Sequence, residues 1–133
     1  MDEVILPSLS QGRIVICDRH TPSSVAYQGY GRGLDLRLIE TANEIATHGL
    51  KPNLIVLLDL EPEEGLARKR RNAPDSLEER ELAFHQRVRQ GYLEMARADP
   101  ERWLVVDAGL PKGEVERIIW GGVKGLLQKE GTR

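Results

Sequence analysis

The chain has 133 residues, 40% of them hydrophobic and 30% charged, with 19 basic against 21 acidic side chains for a net charge of −2. These figures suit one globular domain that buries roughly two-thirds of its unfolded surface. They argue against a disordered chain and against one whose main business is coating nucleic acid. Residues 2–9 read as the tail of a helix. Arg13-Ile14-Val15-Ile16-Cys17-Asp18 follows as a continuous β-branched run, the pattern of a strand covered on both faces. Leu38, Ala42 and Ile45 recur at helical spacing, and Gly49 and Pro52 stop that helix. His48 in its last turn suits the helix dipole.

Leu54-Ile55-Val56-Leu57-Leu58-Asp59 is a second buried strand by the same pattern. A helix opens at Pro62 with Glu61, Glu63 and Glu64 about its amino end. A longer helix is capped by Ser76 with Glu79, or by Asp75 with Glu78. Its apolar stripe is Leu77, Phe84, Val88, Tyr92 and Met95, and Asp99-Pro100 ends it. Trp103-Leu104-Val105-Val106-Asp107 is the third strand, and a last helix runs from about 113 to 129. The order is that of an α/β fold with right-handed crossovers.

One cysteine, Cys17, excludes an internal disulfide and a multi-cysteine zinc site. The longest apolar run, 54–58, is far short of the ~18 residues that a membrane span needs. No charged region followed by an apolar stretch opens the chain, so no signal peptide is expected and the cytoplasm is the expected compartment. The phosphate-cradling G-x-x-x-x-G-K-[ST] is not found, since no Gly-Lys pair occurs in the 133 residues. H-E-x-x-H and G-x-S-x-G are missing too, which removes zinc-protease and serine-hydrolase readings.

Each predicted strand ends in an aspartate: Asp18, Asp59 and Asp107. Ligands of open parallel sheets bind beyond the carboxyl ends of the strands. Aspartate is also a good turn residue after a strand, and for Asp59 and Asp107 the two readings weigh equally. In Asp18-Arg19-His20, the arginine can clamp a phosphate through two parallel hydrogen bonds, and the aspartate can orient it. Ser24, Tyr27 and Gln28 then offer a hydroxyl, a phenol and an amide, with Ser24 and Tyr27 about one helical turn apart. Arg68-Lys69-Arg70-Arg71 can be read in two ways. Bases at the end of a helix complement its dipole. Alternatively, next to the Pro74 break, they form a lid that brings arginines to a polyphosphate.

Taken together, these segments resemble bacterial thymidylate kinase. Residues 12–20 are similar to that family's DR[YH] strand. Ser24-Val25-Ala26-Tyr27-Gln28-Gly29 with Gly31-Arg32-Gly33 is similar to its AYQG-x-GRG segment. Lys51-Pro52-Asn53-Leu54 through Glu63 resembles its PDLT…LLD-x-xPE stretch. Gly65–Arg68, Phe84, Val88-Arg89 with Gly91-Tyr92, and Val106-Asp107-Ala108 follow in family order.

The resemblance implies a P-loop nucleoside monophosphate kinase-like α/β fold, a parallel sheet with flanking helices. That fold would be incomplete here, lacking the P-loop strand and the elements around it. Residues 1–133 would form a single domain, the C-terminal two-thirds of a usual member, with a lid at about 68–76. The implied reaction is phosphoryl transfer from ATP, with Mg²⁺, to dTMP, giving dTDP. Asp18 and Arg19 would stand at the dTMP phosphate, Ser24 at the thymine edge and Tyr27 against the deoxyribose, with Gln28 completing the pocket. Arg68 would lie by the adenine of ATP, and Arg70 and Arg71 would belong to the lid as ATP-binding and catalytic groups. The implied partners are dTMP, ATP and a second copy in a homodimer, with no nucleic acid and no membrane. Without the P-loop the 133 residues alone are expected to lack useful turnover, which leaves a non-catalytic nucleotide-binding or partner-binding fragment as the alternative.

Overall fold

The computed structural model describes residues 1–70 and 79–131. The chain divides into two compact units, Met1–Lys51 and Pro52–Arg133.

The first unit is helical. A short α1 spans Ile5–Ser10, α2 spans Thr21–Ser24, a π-helix covers Val25–Gly31, and α3 runs from Leu36 to Thr47. Pro22 sits in the first turn of α2, where its missing N–H costs nothing. The π-helix buries Val25 and Ala26 and packs on α3. Gly29 makes that packing feasible, because a Cβ there would collide with the Leu36 side chain. The Asp35 carboxylate accepts from the Arg37 amide at 2.9 Å and caps α3. At the other end His48 takes a left-handed conformation. The His48 and Gly49 amides donate to Ile45 O and Glu44 O, the Schellman closure of a helix.

The second unit carries the sheet. Strands β1 (Ile55–Asp59) and β2 (Trp103–Asp107) pair in parallel from Ile55 opposite Trp103 to Asp59 opposite Asp107. Between them run α4 (Pro62–Arg70) and α5 (Glu79–Ala98), and α6 (Lys112–Glu130) follows β2. Gly122 lets α6 lie close to the sheet, since a Cβ there would come within 2.8 Å of Leu104 Cδ2 and the leucine or the helix would have to shift. Alternation along the strands puts Leu58, Leu104 and Val106 on that face and Leu57 and Asp59 on the other. Val106 is the buried residue of β2, and Val88 and Ala96 of α5 and Leu66 of α4 are buried as well. On α5 the expected stripe holds, with Val88 buried and Phe84, Tyr92 and Met95 half-buried. Leu77 and the Ser76 and Asp75 caps lie outside the described residues.

One expected strand does not form. Residues 13–17 have no regular structure, and Ile14 and Ile16 are 69% and 94% exposed. A β-branched run becomes a strand only where a neighbour takes its backbone hydrogen bonds and covers a face. Among the described residues this run has no ladder partner. The stripe predicted for α3 also points the other way. Leu38, Ala42 and Ile45 are exposed, while Leu36, Ile39 and Asn43 share the half-buried face with the buried Thr47. Coverage of the sheet is partial as well, since Leu58 and Val105 stay exposed.

Candidate nucleotide site

In the first unit the chain turns sharply after Asp18. Arg19 has φ 60°, in the left-handed region that costs a non-glycine residue about 1–2 kcal/mol. Strain of this kind gathers at functional sites. The turn sends the guanidinium toward the π-helix. There its centre lies 5.2 Å from the centroid of the Tyr27 ring, and Nη2 donates to the Tyr27 hydroxyl at 3.4 Å. A guanidinium over an aromatic face is attracted by the ring quadrupole, by about 0.5–1 kcal/mol at an exposed site. The Cys17 thiol donates to Arg19 O at 3.4 Å, and the Asn43 amide reaches Thr21 O at 3.4 Å, tying α3 to the start of α2.

The π-helix decides which groups share a surface. Its wider turn buries Val25, Ala26 and Gly29, leaves Tyr27 half-buried and exposes Gln28. π-Helical turns recur at functional sites. Ser24 ends α2 and is half-buried, and Asp18 is exposed. Of the residues expected on the acceptor side, the structure joins Arg19 to Tyr27.

In the second unit the two rim aspartates have separate occupations. Asp107 Oδ1 accepts from the Gly109 amide at 2.8 Å and closes the turn after β2. Asp59 binds Arg89 of α5 through both oxygens, Nε to Oδ1 at 2.8 Å and Nη2 to Oδ2 at 3.0 Å. Arg89 Nη1 also pairs with Glu61 Oε2 at 2.8 Å. The hydrogen bond to Asp59 holds the Arg89 guanidinium above its ordinary pKa, and burial works against it. A raised value means the pairing is fully present below the ordinary arginine range and is lost only above it. Arg89 therefore keeps its charge across neutral pH. Sequence reasoning gave Arg89 no role. The signal was present: an arginine beside Val88 and inside the Phe84–Tyr92 stripe needs acidic partners, and Asp59 and Glu61 are acids at a strand end.

A cavity of about 630 Å³ opens on the α6 side of the sheet. Leu58 of β1, Arg68 of α4, Ala108 and Leu110 after β2, and Lys112 and Trp120 of α6 are among its walls. Glu64 pairs with Arg68 at 2.7 Å, one turn back on α4. Arg70 is the last residue of α4, and Arg71 with the remainder of the expected lid lies outside the described residues. No sequence motif marks Lys112 or Trp120. Among the described residues no three His, Cys, Asp or Glu side chains cluster to hold a metal ion. No helix of the described residues is long and apolar enough to cross a membrane.

A parallel pair with helices against it, and a cavity reached by a basic helix at the carboxyl rim, defines an α/β protein of the ligand-at-the-rim kind. The particular family follows from comparison with known proteins. The thymidylate kinase family model matches residues 1–119, and the chain belongs to that family. It is 52% identical over 122 residues to a thymidylate kinase of Deinococcus radiodurans, covering 91% of this chain and 59% of that protein. A thymidylate kinase of Solidesulfovibrio magneticus is 49% identical over 133 residues, with 94% and 64% covered. One from Synechococcus sp. (strain JA-3-3Ab) is 50% identical over 127 residues, with 96% and 61% covered. The chain thus spans about three-fifths of the length of the curated relatives it matches.

Proposed function

We propose that this chain carries the nucleotide-holding parts of a thymidylate kinase, which transfers a phosphoryl group from ATP to dTMP and yields dTDP. The observation that carries the reading is the Arg19–Tyr27 pair. The pair presents a fixed cation beside an aromatic ring, which is what a nucleoside monophosphate needs: a charge for the phosphate and a flat surface for the sugar. In this reading Arg19 binds the phosphate, and Asp18 steadies it once substrate arrives. Ser24 and Gln28 complete the pocket around the base. Tyr27 packs on the deoxyribose and disfavours a 2′-hydroxyl.

The cavity beside Arg68 is assigned to the adenine of ATP. Its walls are mostly apolar, with a cationic guanidinium at one side, and purines suit such a site. Arg70 and Arg71 are assigned to the transferring phosphates; one arginine in such a role contributes about 10³–10⁵ in rate. The described residues offer no ready-made metal cage. Mg²⁺ would therefore come with the ATP phosphates and need at most one or two carboxylates here, which is its usual manner of binding. When bound, it would neutralise charge on the phosphates.

The fold is read as the C-terminal two-thirds of a P-loop kinase domain, a reading supported by the share of each relative that is matched. The edge of β1 away from β2 would then pair with the P-loop strand. A homodimer is part of the proposal, and the exposed Leu38 and Ile45 on α3 offer an apolar surface for it.

The test is a coupled ATP/dTMP assay on two proteins. One is the 133-residue chain, and the other is the same chain fused behind the first third of the Deinococcus radiodurans relative. The expected result is turnover by the chimera, none by the chain alone, and loss of the chimera's turnover on Arg19→Ala. Equal activity of chimera and Arg19→Ala would remove Arg19 from the site.

A further inference from the structure

Helix α4 has little apolar anchorage. Among its described side chains Pro62 and Leu66 are buried, and Glu63, Glu64, Ala67, Arg68 and Lys69 are exposed. A helix placed by so small an apolar face needs polar fixings to hold one orientation. The strongest is at its entrance. Asp59 ends β1, Glu61 stands two residues on, and the Glu61 carbonyl accepts from the Gly65 amide at 3.0 Å to begin the helix. Both carboxylates are gripped by one guanidinium, that of Arg89 on α5. The Asp59 and Arg89 side chains are 19% and 29% exposed, so this pair is little screened by solvent, whereas Glu61 is 63% exposed. A weaker fixing lies further along, where Gln86 Nε2 donates to Glu63 Oε1 at 2.9 Å. Arg68 follows Pro62 by about 9 Å of helix, and it lines the cavity.

We infer that Arg89 is a positioning residue for the cavity: by gripping Asp59 and Glu61 together it fixes the entrance of α4, and so the place of Arg68 on the cavity wall. The inference rests on the proposed reading of that cavity as the adenine site. Arginine suits the task because its planar fork meets one carboxylate with two donors and keeps a third for another. A lysine offers its three donors from a single nitrogen, so it cannot reproduce the paired Nε and Nη2 bonds to Asp59 while a separate nitrogen holds Glu61.

The experiment uses the 133-residue chain and four variants: Arg89→Lys, Arg89→Gln, Arg68→Gln and Arg89→Gln/Arg68→Gln. Amide hydrogen exchange is followed at Gly65–Arg68, circular dichroism reports the fold, and ATP binding is read from tryptophan fluorescence. Arg89→Lys is expected to keep the far-ultraviolet spectrum of the parent while exchange at Gly65–Arg68 quickens about tenfold. Its ATP affinity should fall about as far as that of Arg68→Gln, and the double variant should be no worse than either single change.

Unchanged exchange in Arg89→Lys would overturn the inference, and so would fully additive losses of ATP affinity in the double variant. A parent chain that does not bind ATP would overturn the adenine reading instead. The exchange comparison would then decide by itself whether Arg89 anchors α4.

Discussion

Residues 13–18 and 54–59 are both apolar, β-branched runs closed by an aspartate, yet they end in different states. The second forms β1, pairs with β2 and gives its aspartate to Arg89. The first has no ladder partner among the described residues, and its isoleucines lie in solvent. A run of this composition is an offer of a strand, and a neighbour must accept it. The aspartates diverge for a related reason. Asp59 stands on a fixed backbone, so a guanidinium can meet it with both forks. Asp18 precedes a strained turn that spends its geometry on aiming Arg19.

The largest test of this contrast is one substitution in each run's setting. Val106→Asp places a charge in the 1% exposed centre of the second unit and should cost on the order of 3–5 kcal/mol, enough to abolish its folding. Ile16→Asp at a 94% exposed position should change stability by less than about 0.5 kcal/mol. Urea denaturation followed by circular dichroism separates the two. Similar costs would mean that residues 13–18 are as firmly held as the sheet.

A smaller effect compares the close approaches that hold each unit. Gly122→Ala pushes a methyl against Leu104, and Gly29→Ala pushes one against Leu36. Each should destabilise its own unit by about 1–3 kcal/mol. Amide exchange in α6 and β2 should report the first, and exchange in α3 the second. Exchange that quickens equally throughout both units would show that they unfold together.

Removing the α3 cap with Asp35→Ala should cost about 1 kcal/mol, read from exchange at the first turn of that helix. The smallest change is Tyr27→Phe. It deletes a long hydrogen bond to Arg19 while keeping the ring contact, at about 0.5 kcal/mol in stability. Its larger consequence should be in substrate choice, seen in the chimera as an altered ratio of dTMP to UMP turnover.

The sequence made β1, β2 and α3–α6 legible because their signals are local or paired: helical periodicity, the stop at Gly49, the proline that opens α4, and two runs that found each other. The Arg19–Tyr27 contact was half legible. The motif marked both residues, but the left-handed turn and the π-helix that join them leave no periodic trace. The choice between ligand and turn roles at Asp59 and Asp107 could not be read from spacing. It depends on Arg89, thirty residues along the chain from Asp59, and on the Gly109 amide. The outward stripe of Leu38 and Ile45 misled for a simple reason. Helical periodicity finds an apolar face and does not say that anything lies against it.

The central claim is that Arg19 and Tyr27 receive a nucleoside monophosphate. The most direct test is an NMR titration of the 133-residue chain with dTMP, observing the Arg19 side-chain N–H and Tyr27 ring signals in the parent and in Arg19→Ala. The account predicts that both signals move together on titration, and that the Tyr27 response is lost in Arg19→Ala. A Tyr27 response that persists unchanged in Arg19→Ala, or dTMP shifts that bypass both residues, would contradict it.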